Sequence, residues 1–175
     1  TDKVYRNNES GQAYTEEDPL GGYDPYSASK AAAEIVIDSY RNSFFNPYDY
    51  ERHGKSVASV RAGNVIGGGD WAADRLVPDI ARALSVGKPI EIRNPKAVRP
   101  WQHVLEPLMG YITLAAMMYQ HTTSFNEGFN FGPNPADVVT VGDMAQMGVD
   151  IWGEGTLEFP KQINQPHEAN LLSLD

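Results

Sequence analysis

The sequence predicts an α/β protein with a mainly parallel sheet. Its 175 residues are 41% hydrophobic and 21% charged, a balance typical of one folded domain with a sizeable core. Short β-branched runs alternate with longer segments whose apolar residues recur at helical spacing. This alternation is the pattern of strand–helix–strand units, in which the strands pair in parallel.

Four segments have helical character. Pro25 stands where a first turn would begin, and an apolar stripe continues to about residue 45, where Asn46-Pro47 ends the helix. The other predicted helices cover residues 76–86, 108–120 and 141–152.

Strands are predicted between these helices. Residues 56–61 (SVASVR) form a β-branched run, and residues 89–92 and 129–131 form shorter ones. Residues 1–5 read as the end of a further strand, and residues 67–70 (GGGD) as a loop.

Composition excludes several classes of function. A net charge of −9 argues against nucleic-acid binding, because few cations are present to neutralise a run of phosphates. The chain has no cysteine, and its histidines lack metal-ligand spacing, so no metal site is predicted. The sequence shows no signal peptide and no apolar run of the ~20 residues that a membrane span needs. We therefore expect a cytoplasmic protein without membrane contact.

The pair Tyr26 and Lys30 is the strongest single indication of chemistry. The two residues are four positions apart, so they share one helical face. A nearby ammonium favours phenolate over phenol, which suits Tyr26 as a general base. A tyrosine in the core beside a solvated lysine would have the same spacing, so the pair alone does not decide between the two interpretations.

Two further groups follow predicted strands. Thr1, Asp2 and Lys3 place a hydroxyl, a carboxylate and an amine at a strand's carboxyl end, where ligands bind in open α/β sheets. Residues 61–67 (RAGNVIG) follow the strand at 56–61 and offer small residues where a ligand could approach the backbone.

Together these motifs resemble the extended short-chain dehydrogenase/reductase family of NAD-dependent sugar epimerases and dehydratases. The resemblance rests on Tyr-x-x-x-Lys, Thr-Asp-Lys upstream and Arg-x-x-Asn-Val-x-Gly downstream. Further strings are similar to the branch of the family that dehydrates CDP-glucose: GGYDPYS, RNSFFNP, RAGNVIGGGDW, RNP, RPWQHVLEP and PHEA. The similarity covers nearly the whole chain.

The resemblance implies a redox-neutral dehydration in which the NAD cofactor ends as it began. Tyr26 would take the proton of the sugar's 4-hydroxyl, to which Thr1 would also hydrogen-bond. Lys30 would hold the nicotinamide ribose, together with Tyr26. Asp2 would protonate the departing C6 hydroxyl, and Lys3 stands where dTDP-sugar relatives carry a glutamate as the C5 base. The CDP-glucose branch also has lysine there, and lysine acts as a base only in its neutral form.

For the substrate, the resemblance implies that Asn64, Arg75, Arg93 and Arg99 surround the nucleotide and its diphosphate. Arginine forks match phosphate oxygens in a bidentate way. His167 is a further candidate for the diphosphate or the sugar. For the complete protein the resemblance implies a homo-oligomer assembled through a helix bundle.

The resemblance also predicts how the chain is organised. Residues 1–70 would be the C-terminal portion of an NAD-binding Rossmann-like domain with a doubly wound sheet. Residues 71–175 would be a truncated substrate-binding lobe mixed with returning Rossmann elements. The glycine fingerprint of the first strand–helix unit is not found, so we expect about 100 residues before Thr1.

Three functions remain open at this stage. A sugar-nucleotide dehydratase is favoured, because Asp2 beside Thr1 supplies the acid that a departing C6 hydroxyl needs. An epimerase or decarboxylase acting on a sugar nucleotide would use the same tyrosine. A non-catalytic nucleotide-sugar binding module would keep the arginines without the NAD chemistry.

We expect the isolated chain to be marginally stable or prone to aggregation and to be inactive alone. A partial sheet exposes unpaired strand edges and apolar surface. A thermal denaturation curve tests this expectation, and cooperative unfolding above ~45 °C would contradict it.

Overall fold

The computed structural model describes residues 1–8, 11–134, 137–160 and 173–175. Helices and short strands alternate along this part of the chain. In order they are α1 (Pro25–Phe44), a 3-10 turn (Pro47–Asp49), α2 (Tyr50–His53), β1 (Ser59–Ala62), β2 (Val65–Ile66), α3 (Leu76–Ser85), β3 (Ile90–Glu91), β4 (Val98–Arg99), β5 (Gln102–His103), α4 (Leu105–Gln120), β6 (Gly128–Phe131), β7 (Val139–Thr140), α5 (Val141–Trp152) and β8 (Leu157–Glu158).

Strand pairing is mainly parallel. Among the described residues β1 pairs with β6, β2 with β5 and β3 with β8, all in parallel. The pair of β4 and β7 is antiparallel. The predicted α/β class with a mainly parallel arrangement is therefore confirmed. Strand β1 lies in the predicted 1–70 segment and β6 in the 71–175 segment, and the boundary between these segments stays a prediction.

The four longer helices are close to their predicted positions. Helices α1, α3 and α5 begin and end within one residue of the predicted limits. Helix α4 begins at Leu105, three residues before the predicted start at 108. The difference arises because Pro107 lies inside the first turn, where proline is tolerated.

The predicted strand end at residues 1–5 was wrong. Residues 3 and 4 form a turn, and Tyr5 makes only an isolated bridge with Leu20. The Asp2 N–H nevertheless donates to the carbonyl oxygen of Ala62 at 2.9 Å, so this segment lies at the carboxyl end of β1. These residues therefore lie beside the end of a strand, but not at the end of a strand of their own as predicted.

Buried apolar residues form two clusters in the described part of the chain. In one, Ile80 and Leu84 of α3 pack with Ile90, Ile92 and Ala145, which joins α3, β3 and α5. In the other, Val4, Tyr5 and Tyr14 pack with Leu174. None of the described helices is long and apolar enough to cross a membrane.

A buried ion pair joins α1 to β1. Arg61 donates from Nη2 to Oε2 of Glu34 at 2.7 Å, and the two side chains are only 8% and 10% exposed. Ser59 also donates to Glu34 Oε2, at 2.8 Å. The Glu34 carboxylate of α1 therefore accepts hydrogen bonds from two residues of β1, Ser59 and Arg61.

The same arginine extends the network to the N-terminal corner. Its Nη1 donates to the hydroxyl of Tyr5 at 2.7 Å, and that hydroxyl donates to Oδ1 of Asn130 at 2.7 Å. The Tyr5 ring stacks on Tyr14, with 5.3 Å between the ring centroids. Helix α1, strands β1 and β6 and residues 1–5 are thus linked by one buried guanidinium.

We predict that Glu34→Gln strongly destabilises the fold. The substitution leaves the Arg61 guanidinium buried without a counter-charge, and removing one partner of such a pair costs about 3–5 kcal/mol. Denaturant unfolding followed by circular dichroism measures the loss. The control is Asp49→Asn in the exposed Arg52–Asp49 pair, whose side chains are 67% and 60% exposed. A loss no larger than the control's would show that Arg61 does not need its partner.

Candidate active site

A cavity of about 850 Å³ opens at the carboxyl ends of β1, β2 and β3. Its walls come from residues 1–3, the first turn of α1, the β2–α3 loop, and the segments around β3, β4 and the start of α4. The residues predicted from sequence that line it are Thr1, Asp2, Lys3, Tyr26, Asn64, Arg75, Arg93 and Arg99. The fold therefore brings together in one cavity side chains that are up to 98 positions apart in the sequence (99 − 1 = 98).

Two predicted residues stand apart from this set. Lys30 is on α1, one turn beyond Tyr26, and is not among the residues that line the cavity. His167 lies outside the described residues.

Residues 1–3 form a hydrogen-bonded corner of the cavity. The Lys3 N–H donates to Oγ1 of Thr1 at 3.2 Å, and the Thr1 hydroxyl donates to Oδ1 of Asp2 at 3.4 Å. The backbone contact of Asp2 with Ala62 fixes the corner against β1. A hydroxyl, a carboxyl group and an amine thus meet at the cavity wall, as the sequence predicts.

The Asp2 carboxyl is the most deeply buried polar group of the site. The residue is 4% exposed, and its Oδ2 has no hydrogen-bond partner in the described part of the chain. Burial raises the pKa of this carboxyl, although the Lys3 ammonium opposes the shift. The protonated form is therefore favoured to a higher pH than in an exposed aspartate.

Tyr26 stands in the first turn of α1. Asp24 caps the helix, because its Oδ1 accepts from the Tyr26 N–H at 2.9 Å and the Ser27 N–H at 3.0 Å. The Tyr26 side chain is 56% exposed, so the interpretation that it is packed core was wrong. The Lys30 Nζ lies 5.5 Å from the centre of the Tyr26 ring.

Gly22 allows the chain to approach the start of α1. A Cβ atom at this position would overlap the backbone of Ser27 and Ala28. Only glycine fits there, so the loop before α1 can pack directly on the turn that carries Tyr26. This contact explains the glycine in the GGYDPYS string at the level of local geometry.

The arginines of the cavity are not isolated charges. Arg75 pairs with Asp70 at 3.3 Å, and Arg93 pairs with Asp74 at 3.5 Å. Arg99 donates from Nη1 to the carbonyl oxygen of Val98 at 2.9 Å. The cavity therefore carries three arginines on a protein whose net charge is −9. An incoming anion could replace the present partner of each arginine.

A family model described as "NAD dependent epimerase/dehydratase family" matches residues 1–130, about three quarters of the chain. The chain belongs to this family. The resemblance seen in the sequence is thereby confirmed at the level of the family.

Individual proteins are similar to the chain over its whole length. CDP-glucose 4,6-dehydratase of Salmonella typhimurium is 53% identical over all 175 residues, and the chain covers 49% of that relative. The dTDP-glucose 4,6-dehydratase structure from Bacillus anthracis, solved with NAD, has a TM-score of 0.76 at 22% identity, with 100% of this chain and 50% of that chain covered. The UDP-glucuronic acid 4-epimerase structure from Bacillus cereus, solved with UDP-glucuronic acid and NAD, has a TM-score of 0.78 at 20% identity and the same coverage. The chain thus spans about half the length of these relatives, and the solved structures confirm the fold.

Sequence reasoning assigned no role to several residues in or behind the cavity. Asp70, Trp71, Asp74 and Trp101 line the cavity, and Glu34 holds Arg61 behind it. Asp70 and Trp71 lie in the RAGNVIGGGDW string, which was the available signal. Nothing in the sequence pattern indicates which carboxylate pairs with which arginine.

We predict that Asp2→Asn stabilises the fold at neutral pH. The carboxyl has a higher pKa in the fold than in the unfolded chain, so ionisation costs stability as the pH rises from about 3.9 to the raised value. Below that range both states are protonated, and the asparagine variant has no advantage of this kind. The difference in unfolding free energy between variant and wild type, measured by denaturant from pH 3 to 8, should therefore increase with pH.

The control for this measurement is Asp49→Asn, which removes one negative charge from an exposed pair. A stability difference for Asp2→Asn that stays constant or falls with rising pH contradicts the prediction.

Proposed function

We propose that the protein carrying this chain converts CDP-D-glucose into CDP-4-keto-6-deoxy-D-glucose, with NAD as its cofactor. The observation that carries the proposal is that one cavity is lined by both the buried Asp2 and the exposed Tyr26. The 53% identity to a CDP-glucose 4,6-dehydratase supports the same reaction and the same nucleotide.

The first turns of α1 suit the nicotinamide end of the cofactor. Tyr26 and Lys30 present a hydroxyl and an ammonium from one side of the helix, beside a cavity large enough for a nucleotide sugar. These two residues would hold the nicotinamide ribose. NAD, when bound, would accept a hydride from C4 of the sugar and return it to C6, while C5 takes back a proton.

Proton removal from the 4-hydroxyl is assigned to Tyr26. Its phenol oxygen takes the proton while the C4–H bond breaks, and the Lys30 ammonium lies 5.5 Å from the centre of the Tyr26 ring. Thr1 Oγ1 shares the corner with Asp2 and would orient the same hydroxyl. The result is a ketone at C4, which makes the C5 proton acidic.

Loss of water is assigned to Asp2 and Lys3. A base takes the C5 proton, and Lys3 occupies the position where dTDP-sugar relatives carry that base. Asp2 gives its proton to the C6 hydroxyl, which leaves as water. The C5–H and C6–O bonds break and a C5–C6 double bond forms, so one molecule of water is lost. Burial suits Asp2 to this role, because it raises the carboxyl pKa and keeps a proton available.

We assign the nucleotide and its diphosphate to the arginines of the cavity. Asn64, Arg75, Arg93 and Arg99 all line the cavity, and a diphosphate would displace Asp70 from Arg75 and Asp74 from Arg93. Bidentate contacts from arginine to phosphate are stronger than exposed ion pairs. His167 stays a candidate for the sugar or the diphosphate.

Asp2 also favours a dehydratase over an epimerase. A 4-epimerase oxidises and reduces C4 alone, so it needs no acid for a departing C6 hydroxyl. A buried carboxyl with a free oxygen in the same cavity is a costly group to keep without such a role.

We further propose that the complete protein is a cytoplasmic homo-oligomer whose product supplies deoxysugar for lipopolysaccharide-type polysaccharides. The outer face of α1 supports an oligomer built through a helix bundle. Val36, Tyr40 and Phe44 recur every four residues on this face and are 54%, 55% and 57% exposed. Met109 and Ile112 of α4 are 64% and 65% exposed, so a second helix offers apolar surface as well.

We predict that Tyr26→Phe lowers kcat for CDP-glucose by at least about 100-fold, because the general base is lost. The assay uses the complete gene product with NAD and follows the 4-keto sugar by its absorbance in alkali. Binding of CDP, measured by calorimetry, should change little, since the phenol does not contact the nucleotide. Tyr48→Phe is the matched control, because Tyr48 is 99% exposed and does not line the cavity.

The products decide between the functions. A 4-keto-6-deoxy sugar identifies a dehydratase, whereas a C4 epimer without loss of water identifies an epimerase. Binding of CDP-glucose without turnover by the wild type would leave only the binding module. Turnover that survives Tyr26→Phe would show that the assigned base is wrong.

A further inference from the structure

The loop between β2 and α3, residues 67–75, forms one rim of the cavity and is here called the rim loop. It carries Trp71 and Arg75, both of which line the cavity, and Trp71 is 64% exposed. The orientation of this loop therefore decides where an aromatic ring and a guanidinium meet a bound ligand.

The rim loop is fixed at its start. Gly67 packs so closely against Val104 that an added Cβ would lie 2.7 Å from Cγ1 of that residue. The next two residues, Gly68 and Gly69, have open space around them, and Gly69 has a φ of +85°. Two unpacked glycines leave the backbone free to move, so the rest of the loop needs a second attachment.

Arg82 of α3 provides that attachment. Its Nη1 donates to the carbonyl oxygen of Trp71 at 2.8 Å, and its Nη2 donates to that of Ala72 at 3.2 Å. Nη2 also pairs with the carboxylate of Asp79, one turn earlier on α3. The planar guanidinium thus holds two successive carbonyl groups from a rigid helix while its own position is set by Asp79.

Contacts inside the rim loop transmit this attachment to the cavity. The Asp70 Oδ1 accepts from the Ala72 N–H at 3.1 Å, and its Oδ2 accepts from Arg75 at 3.3 Å. Asp70 therefore connects Ala72 to Arg75. Because Arg82 holds the carbonyl groups of Trp71 and Ala72, it also restricts the position of the Arg75 side chain at the cavity.

We propose that Arg82 is a positioning residue for substrate binding, which acts through the rim loop without touching the ligand. Arg82 is not among the residues that line the cavity, although its neighbours Asp79 and Ala81 are. The proposal rests on the proposed function for its ligand, a nucleotide sugar. Because the reacting groups lie on residues 1–3 and α1, Arg82 affects ground-state binding of the nucleotide part and leaves the chemical step unchanged.

The test is steady-state kinetics of the complete gene product with NAD and CDP-glucose. We expect Arg82→Ala to raise KM by about tenfold, because two hydrogen bonds from a charged donor are lost, with kcat within about twofold of the wild type. Arg82→Lys keeps the charge, the Asp79 pair and one donor, so its KM should lie between those of the wild type and the alanine variant. Arg52→Ala is the matched control, because Arg52 pairs with Asp49 three residues earlier but is remote from the cavity lining.

Hydrogen exchange of the amides at 70–75 gives a readout that does not depend on turnover. The Ala72 amide, which donates to Asp70 Oδ1, should exchange faster in Arg82→Ala and unchanged in Arg52→Ala, whereas a general loss of stability would affect both core clusters too. A KM for Arg82→Ala within twofold of the wild type, or unchanged exchange at 70–75, overturns the proposal. A wild type that does not convert CDP-glucose overturns the proposed function, and the exchange measurement then decides alone whether Arg82 holds the loop. If Arg82→Ala does not fold, Arg82→Lys is compared with the wild type instead. A KM of Arg82→Lys equal to that of the wild type then overturns the proposal.

Discussion

The buried pair of Arg61 and Glu34 is the interaction on which the rest of the site depends. It joins the helix that carries Tyr26 to the strand whose end receives Asp2, and through the Tyr5 hydroxyl it also holds residues 1–5. A buried ion pair is weak as a source of stability, because desolvation opposes its Coulomb energy. Its directional contacts to three separate segments instead specify how those segments meet. The geometry of the cavity therefore depends on Arg61 and Glu34, although neither residue lines it.

Much of the site could be predicted from the sequence because its residues lie in short local patterns. The spacing of Tyr26 and Lys30 is a property of one helix, and Thr1, Asp2 and Lys3 are consecutive. Their roles came from resemblance, and the fold places all of them except Lys30 at one cavity. The strand predicted at residues 1–5 failed because a turn at residues 3 and 4 replaces it. A turn of this kind depends on the tertiary contacts of Tyr5, which local propensity does not contain.

The partners within the site could not be predicted for the same reason. Asp70 with Arg75 is a contact within the rim loop, whereas Asp74 with Arg93 and the Trp71 carbonyl with Arg82 join that loop to residues further along the chain. Asp74 illustrates the limit, because it has a φ of +60°, which sequence would assign to glycine or asparagine before aspartate. Short strands such as β4 and β7 were missed as well, since two residues carry no periodicity.

The burial of Asp2 follows from the chemistry that the proposed function requires. An acid that must hold its proton near neutral pH needs a raised pKa, and burial supplies this only by making the ionised carboxylate unfavourable in the fold. The same burial leaves Oδ2 without a hydrogen bond among the described residues, which is a further cost to stability. The Asp2 backbone is held by the Ala62 carbonyl oxygen, and Tyr5 is held by Asn130, so contacts on both sides of the carboxyl keep this segment in place. In the proposed reaction, a buried acid and the hydrogen-bonded network that holds its segment in place are therefore one requirement.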